Sequence, residues 1–428
     1  MSDAKTSEQQ LQSILKNISV GGNLTTGDIS QILNLFVIVH QPNSFIPKST
    51  PYNIPSSNTI KFVGRADALE QLHQALQQNS QVAITAIEGM GGVGKTELAT
   101  QYSLLHLILK TYPGGICWLR ARDEDIGIQI LHFAEAKLGI KPPEDWELKD
   151  KVDFCWSRWR EKKEGNVLIV LDDVNDYPKI QSYLPPQLSQ FKVLITTRLQ
   201  LDLPQSFSLD ILSESASLEL LRQWIGEEKV NQKLVISKEL CLLLGYLPLA
   251  LNLVGRYVQK REISVAEMLV RLEREGLQHR ALDVHGKDHT RTLNIQRGVA
   301  AAFELSWEEL SREAKVLGCL LSLFALAPIP WSLVENINIH LDKEELEDAK
   351  VELNDLNLIQ DKSPYILHQL IRDFFRSKID SYELRKNDFV RQAFVQGITS
   401  FISKKKITNN KKEHTLTLIP HIAESAIV

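Results

Sequence analysis

Cysteine is scarce in this sequence, and no two cysteines are spaced as a metal or redox pair would be. The 428 residues contain four cysteines, each among apolar neighbours and none in a C-x-x-C pair: Cys117, Cys155, Cys241 and Cys319. This usage argues against zinc and dithiol motifs and predicts buried structural thiols. A reducing compartment, the cytoplasm, fits it best.

Long hydrophobic runs and a secretion signal are also lacking. The longest apolar run, VLGCLLSLFALAP from Val316, reaches Pro328 well before the roughly 18–20 residues that span a bilayer. The N-terminus, MSDAKTSEQQ, is polar and has no basic-then-apolar layout. We therefore expect no contact with a membrane and interpret the run as a buried helix.

Positive charge is not in excess either. Forty-nine lysines and arginines face 53 aspartates and glutamates, for a formal net charge of −4. No global field attracts nucleic acid or anionic lipid, so neither is an expected partner. The length is too great for one core and predicts two to four domains.

What the sequence does contain is a phosphate-binding motif. Gly89 to Thr96 fit the pattern G-x-x-x-x-G-K-[ST], between a β-rich run and a helical pattern, the context that a P-loop needs. The glycines let backbone N–H groups approach phosphate oxygens. Lys95 is predicted to neutralise the β- and γ-phosphates, and Thr96 to offer its hydroxyl to Mg²⁺. The predicted nucleotide contacts here are Gly89, Gly91, Gly92, Val93, Gly94, Lys95, Thr96 and Glu97.

A second motif, NVLIVLDDV, supplies carboxylates. Its apolar run, Val167 to Leu171, is typical of a central parallel strand, at whose C-terminal end ligands bind. We predict that Asp172 binds the metal and that Asp173 acts on the attacking water. The alternative is that two acidic residues simply follow a buried strand.

A third strand-like run, FKVLITTR, ends in Thr196, Thr197 and Arg198. An arginine at this edge is predicted to sense a γ-phosphate, the alternative being a solvated surface arginine. GICWLRA (115–121) and a helical stretch at 126–138 extend the alternation of strands and helices. The pattern over about 60–200 predicts an α/β, parallel, doubly wound sheet.

Several separate motifs resemble, in order over about 58–385, the NB-ARC domain of STAND-type signalling NTPases. This domain is the switch module of plant disease-resistance proteins, apoptosome scaffolds and many bacterial regulators. The motifs are FVGRADALEQL (62–72), GMGGVGKTELA, VLIVLDDV, ITTR, LLGYLPLALNLVG (243–255) and YILHQLIRDFF (365–375).

The resemblance implies further nucleotide contacts. Val63 and Arg65 would lie by the adenine, Pro248 would pack on it, and His368 would contact the β-phosphate of ADP in a closed state. Leu367 and Gln369 stand where the family has Met and Asp. From the residues alone, Pro248 predicts a kink or helix start, and His368 a structural or capping role.

The resemblance also implies the order of domains after the P-loop domain at 58–205. Helical patterns from about Ser213 predict a helical lid domain at 206–285, and the polar stretch 276–296 is expected to be a linker. Three further helices and a turn at 361–364 predict a winged-helix domain at 286–385. Its segment KEELEDAKVELNDL is acidic, so we favour a switch over a DNA reader.

The two ends carry less information. Residues 1–57 are expected to form a short adaptor segment, with a Pro/Ser/Asn linker at 41–58. Residues 386–428 are expected to be helical pieces around a basic linker at 404–412. IPHIAESA resembles the lead-in to tetratricopeptide repeats of bacterial relatives, and no repeat follows, so a lost sensor array is the expectation.

The predicted function is that of an ADP/ATP switch in signalling or defence. ADP would hold a closed state, and exchange for ATP with Mg²⁺ would permit self-association and recruitment of a protein effector. Hydrolysis, if any, would be slow. The alternatives are an ATP-dependent transcription regulator that binds DNA through the winged helix, and a metabolic ATPase or kinase, for which no acceptor site is evident.

Overall fold

The structure, a computed structural model, describes most of the chain in two compact units. One unit ends at Asp210 and the other begins at Ile211. The described residues are 50–57, 62–86, 91–122, 124–162, 165–186, 190–199, 201, 205–279, 290–356, 358–359, 365, 367–379, 389–407 and 419–425.

A five-stranded sheet forms the centre of the first unit. Its strands are β1 (Gln81–Ala86), β2 (Gly115–Arg120), β3 (Val167–Val174), β4 (Phe191–Thr197) and β5 (Ser206–Leu209). They lie in the order β2-β3-β4-β1-β5, and every neighbouring pair is parallel. The helices of this unit are α1 (Ala66–Gln78), α2 (Lys95–Ile108), α3 (Ile126–Leu138), α4 (Leu148–Lys162) and α5 (Tyr177–Gln181). The predicted α/β P-loop NTPase fold is confirmed.

The apolar run of β3 explains its central place in this sheet. Every residue from Val167 to Leu171 is fully buried, as expected for a strand covered on both faces. Beside it, Trp156 and Trp159 of α4 stack with ring centroids 5.7 Å apart, and both rings pack against Phe191 of β4. The strands that carry the acidic and arginine motifs are thus held by a large aromatic core.

The outer edge of β2 is covered by residues 50–57, which were expected to belong to a linker. Tyr52 forms a parallel bridge with Ile116, whose N–H donates to the carbonyl of Pro51 at 2.9 Å. The Asn53 amide then pairs with Trp118, donating to its carbonyl at 2.8 Å and accepting from its N–H at 2.6 Å. The linker expectation is wrong for these residues, because an unpaired strand edge offers backbone groups that a passing segment can satisfy.

The strand β5 lies beyond the expected boundary after residue 205. Ala83 to Ala86 of β1 pair with Ser206 to Leu209, so the sheet continues past that point. A four-residue strand at an edge, with only Leu209 buried, carries too short a pattern to be recognised in sequence.

The second unit is helical in its described residues. Its helices are α6 (Glu214–Ile225), α7 (Glu227–Gln232), α8 (Leu234–Leu243), α9 (Pro248–Arg261), α10 (Val265–His279), α11 (Thr290–Glu308), α12 (Arg312–Ser322), α13 (Trp331–Val334), α14 (Lys343–Asp355), α15 (Gln369–Ile379), α16 (Phe389–Ile407) and α17 (Ile419–Ser425). Most of the run from Val316 is buried, as predicted, although Val316 and Leu326 are half-buried and α12 itself ends at Ser322.

The expected linker at 276–296 is wrong at both of its ends. Helix α10 extends to His279 and α11 begins at Thr290, while 280–289 lie outside the described residues. Gly276 costs a helix about 1 kcal/mol relative to alanine. The burial of Met268 and Leu272 and the packing of α10 on α11 offset that cost.

The winged helix stays a prediction. Helices α11, α12 and α14 occur in the expected order, but the predicted turn at 361–364 lies outside the described residues. Tyr365 forms an antiparallel bridge with Ile329, whose N–H donates to its carbonyl at 2.7 Å. The acidic α14 begins with a capping box in which Asp342 and Glu345 bond each other's backbone N–H.

The C-terminal helices are docked on this unit. Helix α16 runs to Ile407, so the expected basic linker at 404–412 is wrong in its first part; lysine is a good helix former and is favoured near a helix C-terminus. In α17, the carboxylate of Glu424 accepts from Arg372 and Arg376 of α15. The fully buried His421 donates from Nε2 to the carbonyl of Pro328 at 3.0 Å.

The predictions for cysteines and membrane segments can be compared directly with the structure. All four cysteines are buried free thiols, as expected. Burial raises the pKa of the thiol of Cys155 to about 11, and those of Cys241 and Cys319 to about 12. In the part of the chain that the structure describes, no helix combines the length and apolar character needed to cross a bilayer.

Candidate functional site

The phosphate motif lies between the C-terminal end of β1 and the start of α2. Gly89 falls outside the described residues, but Gly91, Gly92 and Gly94 precede the helix. Gly92 and Gly94 have φ of 79° and 96°, a left-handed conformation that side chains disfavour. The first turn of α2 therefore presents its N–H groups at the loop, a favourable place for a phosphate anion.

Lys95, the first residue of α2, is held in a buried position. Its side chain is only 9% exposed. Burial and the nearby charge of Arg198 together lower the pKa of Lys95 to about 8, against the opposing effect of Asp173 and Asp172. The motif lysine, both acidic residues and the candidate sensor arginine therefore lie within electrostatic reach of one another.

Asp172 is bonded by two threonine hydroxyls. Its Oδ1 accepts from Thr96 at 2.8 Å and from Thr196 of β4 at 2.6 Å. Burial raises the pKa of Asp172, and the hydrogen bonds from Thr196 and Thr96 oppose that rise. The predicted metal-binding pair, Thr96 and Asp172, is thus brought together in space.

These oxygens fit a magnesium ion. Mg²⁺ is bound in proteins by one or two carboxylates, with waters and substrate phosphates completing its shell. Asp172 would supply the carboxylate and the exposed Thr96 the hydroxyl. Among the described residues no cluster of three or more His, Cys, Asp or Glu side chains offers a different metal site.

Asp173 takes an unusual backbone conformation beside this pair. Its φ is 57°, and the pairing of β3 with β4 shifts register between Leu171 and Val174. Its N–H donates to Thr196 Oγ1 at 2.8 Å. Its carboxylate accepts from Nε of Arg122 at 2.6 Å and from a terminal nitrogen of the same guanidinium at 3.3 Å.

Arg198 follows the last residue of β4 directly and is half-buried. Its charge lies close enough to that of Lys95 to lower the pKa of that lysine. The position is compatible with the predicted contact to a γ-phosphate.

The motif at 62–72 connects to the phosphate loop through Arg65. The guanidinium donates to the carbonyl of Val93 at 3.3 Å and to that of Asp210 at 2.6 Å. Burial lowers the pKa of Arg65 to about 10, and the Asp210 carboxylate opposes that effect. Val63 is half-buried two residues earlier. Arg65 therefore supports the backbone of the loop.

The carboxylate of Glu97, a predicted nucleotide contact, is hydrogen-bonded to other side chains of the protein. Its Oε1 accepts from the hydroxyl of Ser57 at 2.6 Å and from the Gln101 amide at 2.7 Å. Glu97 thus ties the start of α2 to the segment 50–57 that covers the β2 edge.

The two remaining candidates lie in the second unit. Pro248 is the first residue of α9, which agrees with the helix-start interpretation from sequence. Just before it, Tyr246 has φ of 54°, and its carbonyl accepts from Leu212 N–H at 3.1 Å. His368 precedes α15, and its Nδ1 accepts from the N–H of Leu370 at 3.1 Å. The ring therefore caps this helix.

Sequence reasoning gave no role to Thr196 or Arg122. Thr196 belongs to the ITTR motif at the end of β4. Its contact with Asp172 depends on the pairing of β3 with β4, which the motif alone does not show. Arg122 follows β2 by two residues, and β2 pairs with β3 up to Arg120 and Asp172. An arginine just past a strand that neighbours an acidic one was the available signal.

Comparison with known proteins places residues 65–231 in a family: they match the model of the NB-ARC domain. Regulatory protein AfsR of Streptomyces griseus is 27% identical over 348 residues, covering 77% of this chain and 33% of that protein. Probable disease resistance RPP8-like protein 2 of Arabidopsis thaliana is 26% identical, covering 72% of this chain and 34% of that protein. The chain spans about a third of the length of these relatives.

A solved structure agrees with the fold. It is a Signal Transduction ATPase with Numerous Domains (STAND) protein with a tetratricopeptide repeat sensor from Pyrococcus horikoshii. It superposes with a TM-score of 0.50 at 18% identity, covering 84% of this chain and 47% of that one.

Proposed function

We propose that this chain, whose residues 65–231 match the NB-ARC domain, is a STAND-type, ADP/ATP-controlled switch in signalling or defence. ADP holds a closed state, and exchange for ATP with Mg²⁺ opens it for self-association and recruitment of a protein effector. One observation carries the proposal. Thr96 donates a hydrogen bond of 2.8 Å to Asp172, close to the buried Lys95. Together these residues supply the oxygen ligands for Mg²⁺ and the positive charge for the phosphates that binding of a magnesium nucleotide requires.

The chain's own residues divide the work of binding. The ammonium of Lys95 neutralises charge on the β- and γ-phosphates, and the loop N–H groups bond their oxygens. Asp172 and Thr96 would hold a magnesium ion, whose positive charge would help to neutralise the phosphates. Thr196 restrains the Asp172 carboxylate by a hydrogen bond.

The switch itself depends on differential affinity. A ligand shifts a two-state equilibrium only by the difference in its affinity for the two states. We assign the preference for the ATP state to Arg198, whose charge lies near Lys95 of the phosphate motif, and the preference for the ADP state to His368. His368 also caps α15 by accepting from Leu370 N–H, so a test of its role must separate release of ADP from stability of the helix.

Hydrolysis is proposed to be slow and to act as a timer. Asp173 is the residue that would orient water, and its carboxylate is bonded to Arg122. The DNA-binding alternative gains no support from α14, whose first turn carries Glu344 and Glu345 and whose last turn carries no basic residue.

The test is the molar mass of the protein with each nucleotide, measured by light scattering during gel filtration. The proposal predicts a monomer with ADP and a larger species with ATP, Mg²⁺ and no hydrolysis. Lys95→Ala is the control and should remain monomeric in both. Equal masses of the unsubstituted protein with the two nucleotides, with binding demonstrated, would contradict the switch.

A further inference from the structure

Asp173 is held in a conformation that its own backbone does not favour. A non-glycine residue at φ 57° lies in the left-handed region, which aspartate visits only occasionally. Here the residue sits within β3, where the register with β4 shifts. Two contacts fix it: Thr196 accepts from its N–H, and Arg122 bonds its carboxylate.

The contact with Arg122 differs from an ordinary surface ion pair. The guanidinium meets both carboxylate oxygens, Oδ2 at 2.6 Å and Oδ1 at 3.3 Å. The side chains are 18% and 30% exposed, so solvent screens the pair less than it screens a fully exposed one. A bidentate arginine–carboxylate pair also fixes geometry, which a single lysine contact does not.

This geometry bears directly on hydrolysis. In the reaction, a water oxygen forms a bond to the γ-phosphorus. The bond from that phosphorus to the bridging oxygen breaks, leaving its electron pair on ADP, and one water proton is released to solvent. A residue that orients the water needs a carboxylate oxygen directed at that water. The two hydrogen bonds from Arg122 use only part of the accepting capacity of Asp173, but they fix the direction in which both carboxylate oxygens point.

We propose that Arg122 is a positioning residue that restrains Asp173 and thereby keeps ATP hydrolysis slow. The inference rests on the proposed nucleotide switch. Release of Asp173 from Arg122 frees the carboxylate to orient water, so the ion pair sets the lifetime of the ATP state. Arg122 lies on the segment between β2 and α3, so a partner that draws this segment away would shorten that lifetime.

The test is single-turnover hydrolysis of ATP by the full chain, with the ATP dissociation constant measured separately. Arg122→Ala should raise the rate constant by about tenfold or more, since a correctly placed catalytic carboxylate contributes about a hundredfold or more. The dissociation constant of ATP should stay unchanged, because Arg122 acts only through Asp173. Arg122→Lys, which keeps the charge but not the fork, should fall between the two.

Two further variants separate restraint from a general structural effect. In the double variant Arg122→Ala with Asp173→Gly the gain should vanish; glycine fits the left-handed backbone, so this change removes the carboxylate without added strain. Lys149→Ala removes an exposed ion pair with Asp153 in the same unit and should leave the rate as it is. Thermal melting shows that each variant is folded.

The outcomes separate the inference about Arg122 from the proposed nucleotide switch. If ATP binds but Arg122→Ala leaves the rate unchanged or lowers it, Arg122 does not restrain Asp173 and the inference is overturned while the switch stands. If the gain persists without the Asp173 carboxylate, the inference is also overturned. If neither the unsubstituted protein nor any variant binds ADP or ATP, the proposed function fails, and the inference about Arg122 fails with it.

Discussion

The hydroxyl of Thr196 should be the main support of the metal-binding carboxylate. Thr196→Val keeps the shape of this buried side chain but removes two hydrogen bonds, one to Asp172 at 2.6 Å and one from Asp173 N–H at 2.8 Å. A hydrogen bond to a charged group contributes about 1.5–3 kcal/mol. If the contribution to Asp172 is lost from metal binding, Mg²⁺-dependent ATP affinity falls by roughly tenfold to 150-fold.

The direction of the pH effect follows from the same contacts. Burial raises the pKa of Asp172, and the Thr196 hydrogen bond opposes that rise. In Thr196→Val the carboxyl should therefore stay protonated to a higher pH. Titrations of ATP with and without Mg²⁺ across the acidic range should show the metal-dependent gain setting in at higher pH than in the unsubstituted protein.

The neighbouring threonine provides the matched control. Thr197 is equally buried and also makes two hydrogen bonds, but its hydroxyl donates to the Val174 carbonyl and accepts from Leu199 N–H. Thr197→Val should destabilise the fold by a similar amount and leave the Mg²⁺ dependence unchanged. If both variants lose metal-dependent binding equally, the effect is one of stability and the reasoning about Thr196 is refuted.

Three further predictions concern the other candidate residues. Asp172→Asn should raise the melting temperature of the nucleotide-free protein at pH 7. Burial raises the pKa of Asp172, so its contribution to stability is present at low pH and is lost as the pH rises through the pKa of the folded state. A lower melting temperature of the variant would contradict this. ADP affinity should fall by roughly tenfold per pH unit above about 8 in calorimetry as Lys95 loses its charge, and Lys95→Arg should abolish that slope. His368→Ala should release ADP about ten to a hundred times faster if one hydrogen bond is lost from the closed state. His368→Asn retains an acceptor for Leu370 N–H, so it should restore stability without restoring the slow release of ADP. If it restores both, the histidine acts only as a helix cap.

The sequence alone was sufficient for the parts of the site that are local. The phosphate loop, Lys95 and Thr96 are contiguous, and the apolar run ahead of Asp172 marks a central strand by itself. The start of α9 at Pro248 was also foreseeable, because proline has a local preference for the first helical turn.

Contacts between strands were not predictable in the same way. Thr196 meets Asp172, and Arg122 meets Asp173, only because β2, β3 and β4 are neighbours in one register. The segment 50–57 is polar and rich in proline and serine, so its composition indicates a linker, whereas contacts with the open edge of β2 and with Glu97 hold it in place. Helix α10 continues through Gly276 because packing outweighs a local preference. In each case a partner distant in sequence decides the structure.

The central claim is that bound ADP holds the protein in a closed state. It is tested most directly by identifying the nucleotide that accompanies the purified protein. Denaturing the protein and identifying the released nucleotide by mass spectrometry should yield stoichiometric ADP, and Lys95→Ala should yield far less, because it lacks the buried ammonium that we propose neutralises the phosphates. Protein that emerges free of nucleotide, and that then binds added ADP only weakly, would contradict the account.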